Sequence, residues 1–393
     1  MVSPIYMDHH ATTPVDERVV QAMLPVFTEH FGNPSSIDHH HGAEANRLVN
    51  EAREQVAKLI GARDPDEVLF TSGATESDNM ALRGVLQAGD HLITTKVEHK
   101  AILETCHELG SQGIEVTYLD VDSVGLLTAN DVEASIQPNT RLVSVMAANN
   151  EMGAIYPLSE IGAVLAKVNK NRTESGAAPI LFHSDAAQAC GHVPIDVDGM
   201  GIDLLSLSGH KTYAPRGIGA LYVRQPNRRV KLAPLLAGGG QERKLRSGTH
   251  NVPGIVGLGA ACALARENLQ TDMDRVRAMR NELWAGIQGL DGSFELIGPE
   301  LDGQRLPHNL MVSFAPFKAR AMLRALAPTV SVSTGSACQT DRTEASHVLT
   351  AMGIEEKARF TLRFGLGHAT TTTDVEATIV ALESAVQPLR ALA

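Results

Sequence analysis

Residues 179–211 read PILFHSDAAQACGHVPIDVDGMGIDLLSLSGHK, and this stretch decides the fold. Two apolar runs, 179–183 and 203–208, lie one crossover apart, and each is followed closely by a charged residue, Asp185 and Lys211. Apolar runs without alternation are what strands show when both faces are covered. A crossover of this length between them points to parallel pairing. A carboxylate closing a buried strand is costly unless something pairs with it. A lysine at such a place becomes a nucleophilic amine once burial and nearby cations lower its pKa. Each residue has a plain alternative: Asp185 as a cap or metal ligand, Lys211 as an ordinary surface lysine. Their shared placement favours chemistry, because ligands of open α/β sheets bind beyond the carboxyl ends of the strands.

The same pattern extends outward in both directions. Strand-like runs fall at 67–71, 91–95, 113–119, 140–147 and 219–223, with helical stretches at 43–60, 76–86, 100–110, 158–168 and 255–269. This alternation predicts an α/β fold, a mostly parallel sheet flanked by helices. After Asn251 the pattern changes to a long helix at 255–289, short strands at 310–314, 330–333 and 360–365, and a closing helix at 373–389. That predicts a smaller α+β domain, so residues 16–254 form the large domain and residues 1–15 plus 255–393 the small one. A chain of 393 residues is too long for one ordinary core, which agrees.

Bulk properties narrow the function. A formal net charge of −11 repels polyanions and argues against direct nucleic-acid binding. Four cysteines with no CxxC pair fit a reducing compartment rather than a disulfide framework. The N-terminus carries no signal-peptide pattern and no long apolar run is present, so a cytoplasmic, membrane-free protein is expected. Consecutive His39, His40 and His41 point in different directions along an extended segment. A structural or substrate-adjacent role therefore outranks a metal site, and no metal is expected.

Several loops after strands carry useful groups. Residues 71–77, TSGATES, run from strand through small residues into a helix. Backbone N–H groups and the helix N-terminus there suit a phosphate, or merely cap the helix. Neither a Walker motif nor a GxGxxG follows a strand. His99 follows the run at 91–95, and Asn149, Asn150 and Glu151 follow the run at 140–147. Asp185 has the chemistry to hold a pyridine nitrogen protonated, and Lys211 to form a Schiff base.

Taken in order, DHHATTP (8–14), SGATES (72–77), VEHK (97–100), NNEMG (149–153), HSDAAQ (183–188), SGHK (208–211), GGGQERKLRSGT (238–249), STGSAC (333–338) and LRFGLG (362–367) resemble the NifS/IscS-type cysteine desulfurases nearly end to end. The resemblance implies the fold-type I architecture of pyridoxal 5'-phosphate (PLP) enzymes, with the following roles. Lys211 would carry the cofactor as a Schiff base, Asp185 would pair with the pyridine nitrogen and Gln188 with the phenolic oxygen. His99 would stack on the ring and assist proton transfer. Ala74, Thr75, Ser208 and His210 would hold the phosphate, and Thr249 would reach the cofactor of the other subunit of a homodimer. Asn150 and Arg363 would grip the carboxylate of L-cysteine, a task suited to the planar guanidinium fork.

Cys338 sits in a small, polar, Gly-containing segment, 331–340, whose composition favours an exposed loop. Cys106 and Cys262 lie in helical stretches among apolar residues and read as packing, as does Cys190. The chemistry needs a second nucleophile that enters, takes the substrate sulfur as a persulfide and leaves with it. Cys338 is that thiol, and its STGSAC context resembles the first of the family's two classes. The RxGHxC-like pattern of the second class is absent.

The expected activity is conversion of L-cysteine to L-alanine, with the sulfur passed from Cys338 to an acceptor protein. Iron–sulfur assembly, tRNA thiolation and DNA phosphorothioation are the candidate destinations. His368 stands where scaffold-binding members commonly carry Arg, and the sequence ends at Ala393 without their tail, which turns the expectation toward the latter two. Rival readings are selenocysteine lysis or amino transfer on the same fold, and a non-catalytic binding relic. The relic predicts lost cofactor residues, yet all are present.

Overall fold

The computed structural model describes residues 4–225, 230–292, 294–335 and 346–390. In chain order the first part holds β1 (Ile5–Tyr6), α1 (Glu17–Thr28), α2 (His40–Ile60), β2 (Val68–Thr71), α3 (Ala74–Val85), β3 (His91–Thr95), α4 (Lys100–Ser111), β4 (Glu115–Leu119), α5 (Ala129–Ala134), β5 (Thr140–Ser144) and α6 (Leu158–Glu174). There follow β6 (Leu181–Asp185), β7 (Leu204–Ser208), β8 (Gly219–Val223), α7 (Val252–Gly289), β9 (Glu295–Leu296), β10 (Asn309–Ser313), α8 (Ala319–Leu326), β11 (Val330–Ser331), α9 (His347–Ala351), β12 (Thr361–Gly365) and α10 (Thr372–Arg390).

Seven strands form one sheet in the order β2-β8-β7-β6-β5-β3-β4. Only β8 runs antiparallel to its neighbours, β7 and β2; the pairs β7–β6, β6–β5, β5–β3 and β3–β4 are parallel. Successive residues of a strand point to opposite faces. Phe70, Ile93, Val143, Phe182 and Leu205 accordingly pack into one core, and their neighbours Leu69, Leu92, Leu142, Leu181 and Leu204 into another. With both faces covered, the strands are the uninterrupted apolar runs read in the sequence.

The strand foreseen at 179–183 is shifted to Leu181–Asp185. Asn169 explains the shift: its amide nitrogen donates to the Ile180 carbonyl, and its oxygen accepts from the Ile180 N–H. The ladder therefore begins two residues later than foreseen and carries Asp185 as its last member. The strand foreseen at 140–147 stops at Ser144, and the Met146 N–H is taken by Glu98 instead. Helix α1 was not legible, although Asp16 caps it by accepting from the Arg18 N–H. Helices α5 and α8 and strands β1 and β9 were likewise not foreseen.

The remaining strands form a three-stranded antiparallel sheet, β12-β10-β9, and a parallel pair, β1-β11. Their core, with Met7, Leu310, Phe314, Phe364 and Leu382, is separate from the two faces of the large sheet. Helix α7 joins them: Ile255 and Leu258 pack under the large sheet, while Leu283 and Ile287 belong to the other core. A Cβ on Gly259 would lie 2.5 Å from the Ala52 Cα, so α7 and α2 approach too closely there for any side chain.

Candidate active site

The carboxyl ends of β3, β5, β6 and β7 share one edge of the sheet, and the loops after them surround a cavity of about 790 Å3. Ala74, Thr75, His99, Asn150, Asp185, Gln188, Ser208, His210, Lys211 and Arg363 all line it. Thr249 does not; it is exposed in the turn after Ser247. Cys338 lies outside the described residues.

Lys211 ends the short 3-10 turn Gly209–Lys211 that leaves β7. Its Nζ donates to the carbonyl oxygens of His10 and Ala11, the latter at 2.9 Å. Asp185 is buried at the end of β6, and its Oδ1 accepts from the Ala187 N–H at 2.9 Å. Burial pushes its carboxyl above the ordinary range, and His99, the Ala187 N–H and Lys211 pull it back. Any further cation placed beside it, such as a pyridinium, works in the same direction.

His99 caps α4: its Nδ1 accepts from the Ala101 N–H at 3.1 Å, which leaves Nε2 to carry the proton in the neutral ring. His99 is exposed and lines the cavity, and the desolvation by the protein around it lowers its pKa against the raising charge of Asp185.

The loop into α3 is built for an anion. Gly73 has φ +155, a conformation that favours glycine, and no side chain caps the helix that starts at Ala74. The first-turn N–H groups are thereby left for a ligand. A Cβ on the facing Gly219 would lie 2.6 Å from the Gly73 Cα, so the cradle closes only without one. Ser208 and His210 stand on the same cavity wall. Glu76, in the first turn, is neutralised by Arg246 at 2.8 Å.

Arg363, on β12, is 1% exposed. Its Nη2 donates to Asp8 Oδ1 at 2.8 Å, and its Nη1 donates to the carbonyls of Asn150 at 2.7 Å and Gly335 at 3.1 Å. Its Nε is buried with no hydrogen-bond partner. The asparagine pair divides its work. Asn149 is structural, bonded to the Val97 carbonyl and the Glu151 N–H, whereas Asn150 lines the cavity.

Other expectations resolve simply. His39 caps α2, its Nδ1 accepting from the Gly42 N–H, and does not line the cavity, so its role is structural. Cys106, Cys190 and Cys262 are buried, and burial pushes all three thiols up, those of Cys106 and Cys262 to about 12. No metal-binding cluster occurs among the described residues.

The sequence reading passed over a layer near Asp185. Asp78 and Glu98 are fully buried, and burial raises both carboxyls well above the ordinary range. His183 bridges Ser144 Oγ at 2.9 Å and Ser206 Oγ at 3.0 Å, with its pKa lowered by burial to about 3. Glu98 and His183 stand inside motifs already quoted, VEHK and HSDAAQ, and an acid or histidine flanking a strand end was the available signal. Asp8 and His10 were equally visible in DHHATTP, but nothing in one dimension tied them to Arg363 or Gln188.

A lysine amine, a buried carboxylate, an anion cradle and a histidine around one cavity are the donor set that PLP requires, and the residues present fit it. Residues 5–378 match the aminotransferase class-V family. Cysteine desulfurase IscS of Anaeromyxobacter sp. (strain Fw109-5) is 47% identical over 398 residues, covering 99% of this chain and 94% of its own length. Among solved structures, a NifS-like protein superposes with a TM-score of 0.88 at 37% identity, covering 98% of this chain and 100% of that one. SspA in complex with cysteine does so with a TM-score of 0.77 at 39% identity, covering 92% and 98%. The chain belongs to the aminotransferase class-V family and is PLP-dependent. Within that family it is a desulfurase of the IscS/NifS group.

Proposed function

We propose that this cavity performs the cysteine desulfurase reaction with the residues read from the sequence, each in its own role. The carrying observation is convergence: Lys211, Asp185 and the Gly73 cradle line one side of the cavity, and Arg363 joins its wall from a different sheet. Lys211 holds the cofactor, Asp185 its ring nitrogen, Gln188 its phenolic oxygen, and Ala74, Thr75, Ser208 and His210 its phosphate. Bound PLP supplies an electron sink that makes the Cα proton of L-cysteine removable. Asn150 and Arg363 orient the substrate carboxylate. Once displaced, Lys211 takes the Cα proton, with His99 assisting.

Cys338 then attacks as a thiolate. Its sulfur bonds to the substrate Sγ, the Cβ–Sγ bond breaks, and the electron pair stays with Cβ, which takes up a proton; return of the proton from Lys211 to Cα completes L-alanine. Gly335 and Ser346, the described residues flanking Cys338, both line the cavity. The three-residue separation of Cys338 from Gly335 in the sequence supports this role for it.

The sulfur passes onward to an acceptor protein of iron–sulfur assembly, tRNA thiolation or DNA phosphorothioation. Thr249 serves the partner subunit's cavity in a homodimer; its exposure away from this chain's own cavity supports that reading. The division into a 16–254 domain and a 1–15 plus 255–393 domain is supported by the separate core around Met7, Leu310 and Phe364, although Ile255, Leu258, Val348 and Leu349 pack with the large sheet. A cytoplasmic site of action agrees with the finding that no helix among the described residues is long and apolar enough to cross a membrane.

The test is L-alanine and persulfide measured together. Lys211→Ala should lose the Schiff-base absorbance and all turnover, and Cys338→Ala should keep the absorbance but form no persulfide. Sulfide release by Cys338→Ala at the wild-type rate would remove Cys338 from the reaction.

A further inference from the structure

Gln188 is oriented by a chain of residues that runs from His10, on the cavity wall, back to Asn309 and Arg305, which do not line the cavity. Arg305 is 3% exposed, and its guanidinium donates to the carbonyls of Pro299 at 2.7 Å and Ile297 at 2.5 Å and to Asn309 Oδ1 at 2.9 Å. A guanidinium has donors only, so the Asn309 atom facing it is the carbonyl oxygen. The Asn309 NH2 therefore points the other way. It donates to the Glu151 carbonyl at 2.9 Å and faces His10 Nε2 at 3.1 Å.

An amide NH2 only donates, so His10 Nε2 carries no proton. The neutral ring then bears its proton on Nδ1, which donates to Gln188 Oε1 at 2.9 Å. With its oxygen fixed on His10, the Gln188 amide turns its NH2 toward the His10 carbonyl, at 3.0 Å, and the residue lines the cavity. The other end gives the same answer independently. A carbonyl only accepts, so the Gln188 atom beside the His10 oxygen is nitrogen. That same oxygen also accepts from Lys211 Nζ.

His10 is suited to transmit this polarity. It is buried and stacked on His308 at 4.4 Å. Burial first, then the charges of Arg363, His192 and Lys211, disfavour a second proton against the raising hydrogen bond to Gln188, and hold the ring neutral.

We propose that Arg305, Asn309 and His10 are positioning residues of one hydrogen-bond relay, which locks the Gln188 amide with its NH2 toward the cofactor's phenolic oxygen. The proposal rests on the reading that Gln188 meets that oxygen. A donor there stabilises the anionic oxygen, whereas a flipped amide would set a carbonyl against it. An unstabilised phenolic anion holds the neighbouring Schiff-base proton more tightly, so losing the donor raises the pH at which the cofactor's visible absorbance changes.

That midpoint is measured on the holoenzyme for wild type, Gln188→Ala, His10→Phe and the double variant. His10→Phe keeps a ring to stack on His308 but neither nitrogen. Gln188→Ala should raise the midpoint by about one pH unit, tenfold in the ionisation constant. His10→Phe should raise it in the same direction, and adding it to Gln188→Ala should change nothing further. A Gln188→Ala midpoint equal to wild type refutes the reading of Gln188 itself. A shift in Gln188→Ala with none in His10→Phe, or a His10→Phe shift that survives in the Gln188→Ala background, overturns the relay and leaves that reading standing. Neutron diffraction from the wild-type holoenzyme needs no variant: it should show deuterium on His10 Nδ1 and none on Nε2, and the reverse overturns the relay.

Discussion

Asp8 Oδ1 accepts from Arg363 Nη2 at 2.8 Å, which ties the segment after β1 to the middle of β12. Asp8 Oδ1 also accepts from Ser333 Oγ at 3.0 Å, so one carboxylate positions both the arginine and the stretch leading to Cys338. The resemblance implied an arginine whose planar fork grips the substrate carboxylate. Instead both Nη groups already have partners, and Nε is the unpaired donor. Arg363 is thus held rigid before substrate arrives. Arg363→Lys keeps a positive charge but loses the planar donor array. The KM for L-cysteine should rise about 10- to 100-fold, equivalent to roughly 1.4–2.8 kcal/mol, with the cofactor absorbance unchanged. Steady-state kinetics with parallel spectra check this, and an unchanged KM would take Arg363 out of substrate binding.

How far such a relationship can be read from sequence depends on what holds it. Asp185 and Lys211 were legible because each is tied to a strand end, and strand ends are written in local hydrophobic runs. The loop into α3 was legible for the same reason. Asp8–Arg363 and Arg305–Asn309–His10–Gln188 were not, because their partners meet across the join between two sheets and no local pattern records that meeting. Asn169 shows the limit within a single element. Its side chain moves the start of β6 to Leu181, which no periodicity could supply.

Glu242 supports a prediction about stability. It has φ +44, and its carboxylate accepts from Arg53 at 2.7 and 2.8 Å, from His250 at 2.7 Å and from the Phe70 N–H at 2.9 Å. Burial alone would raise its pKa, yet these partners hold it at about 2, below the ordinary 4.5. A depressed carboxylate stabilises the fold above the unfolded-state pKa, and that contribution is lost as pH falls toward the folded one. Glu242→Gln should therefore lower the unfolding free energy by about 3 kcal/mol at pH 7. The gap to wild type should narrow between pH 4.5 and about 2. Urea unfolding across a pH series measures it, and a gap of equal size at pH 7 and pH 3.5 would assign the stability to packing instead.

His99 carries the opposite sign. Burial lowers its pKa from 6.5, Asp185 raises it, and Lys211, His347 and Lys100 lower it further. The net effect keeps the ring neutral through the neutral range, ready to accept a proton. In the apoenzyme its NMR titration midpoint should fall below 6.5, assigned by its disappearance in His99→Gln. Asp185→Asn removes the one opposing charge and should push the midpoint lower still. A midpoint that rises in Asp185→Asn would mean the two side chains do not interact as their placement requires.

Ser346 anchors the far side of the Cys338 segment. Its Oγ donates to Glu151 Oε2 at 2.6 Å and caps α9 by accepting from the Val348 N–H at 3.1 Å and the Leu349 N–H at 3.4 Å. On the near side, the Gly335 carbonyl is held by Arg363. The described residues on either side of the Cys338 segment, Gly335 and Ser346, are thus each fixed to the cavity wall, Gly335 by the arginine proposed to bind substrate. Ser346→Ala should cost about 1–2 kcal/mol of stability through the lost cap. Glu151, whose carboxyl burial raises and Ser346 lowers, would become still harder to ionise. The sharper consequence is kinetic. Misplacing one reacting group by about 1 Å can slow a step up to a hundredfold, so persulfide formation on Cys338 in a single turnover should slow by about tenfold. If Lys211 and Arg363 act as proposed, the spectral change on mixing with L-cysteine should keep its wild-type rate in Ser346→Ala. Rapid-quench mass spectrometry beside stopped-flow absorbance separates the two events. Equal slowing of both would mean that Ser346 supports the whole cavity rather than the approach of the thiol.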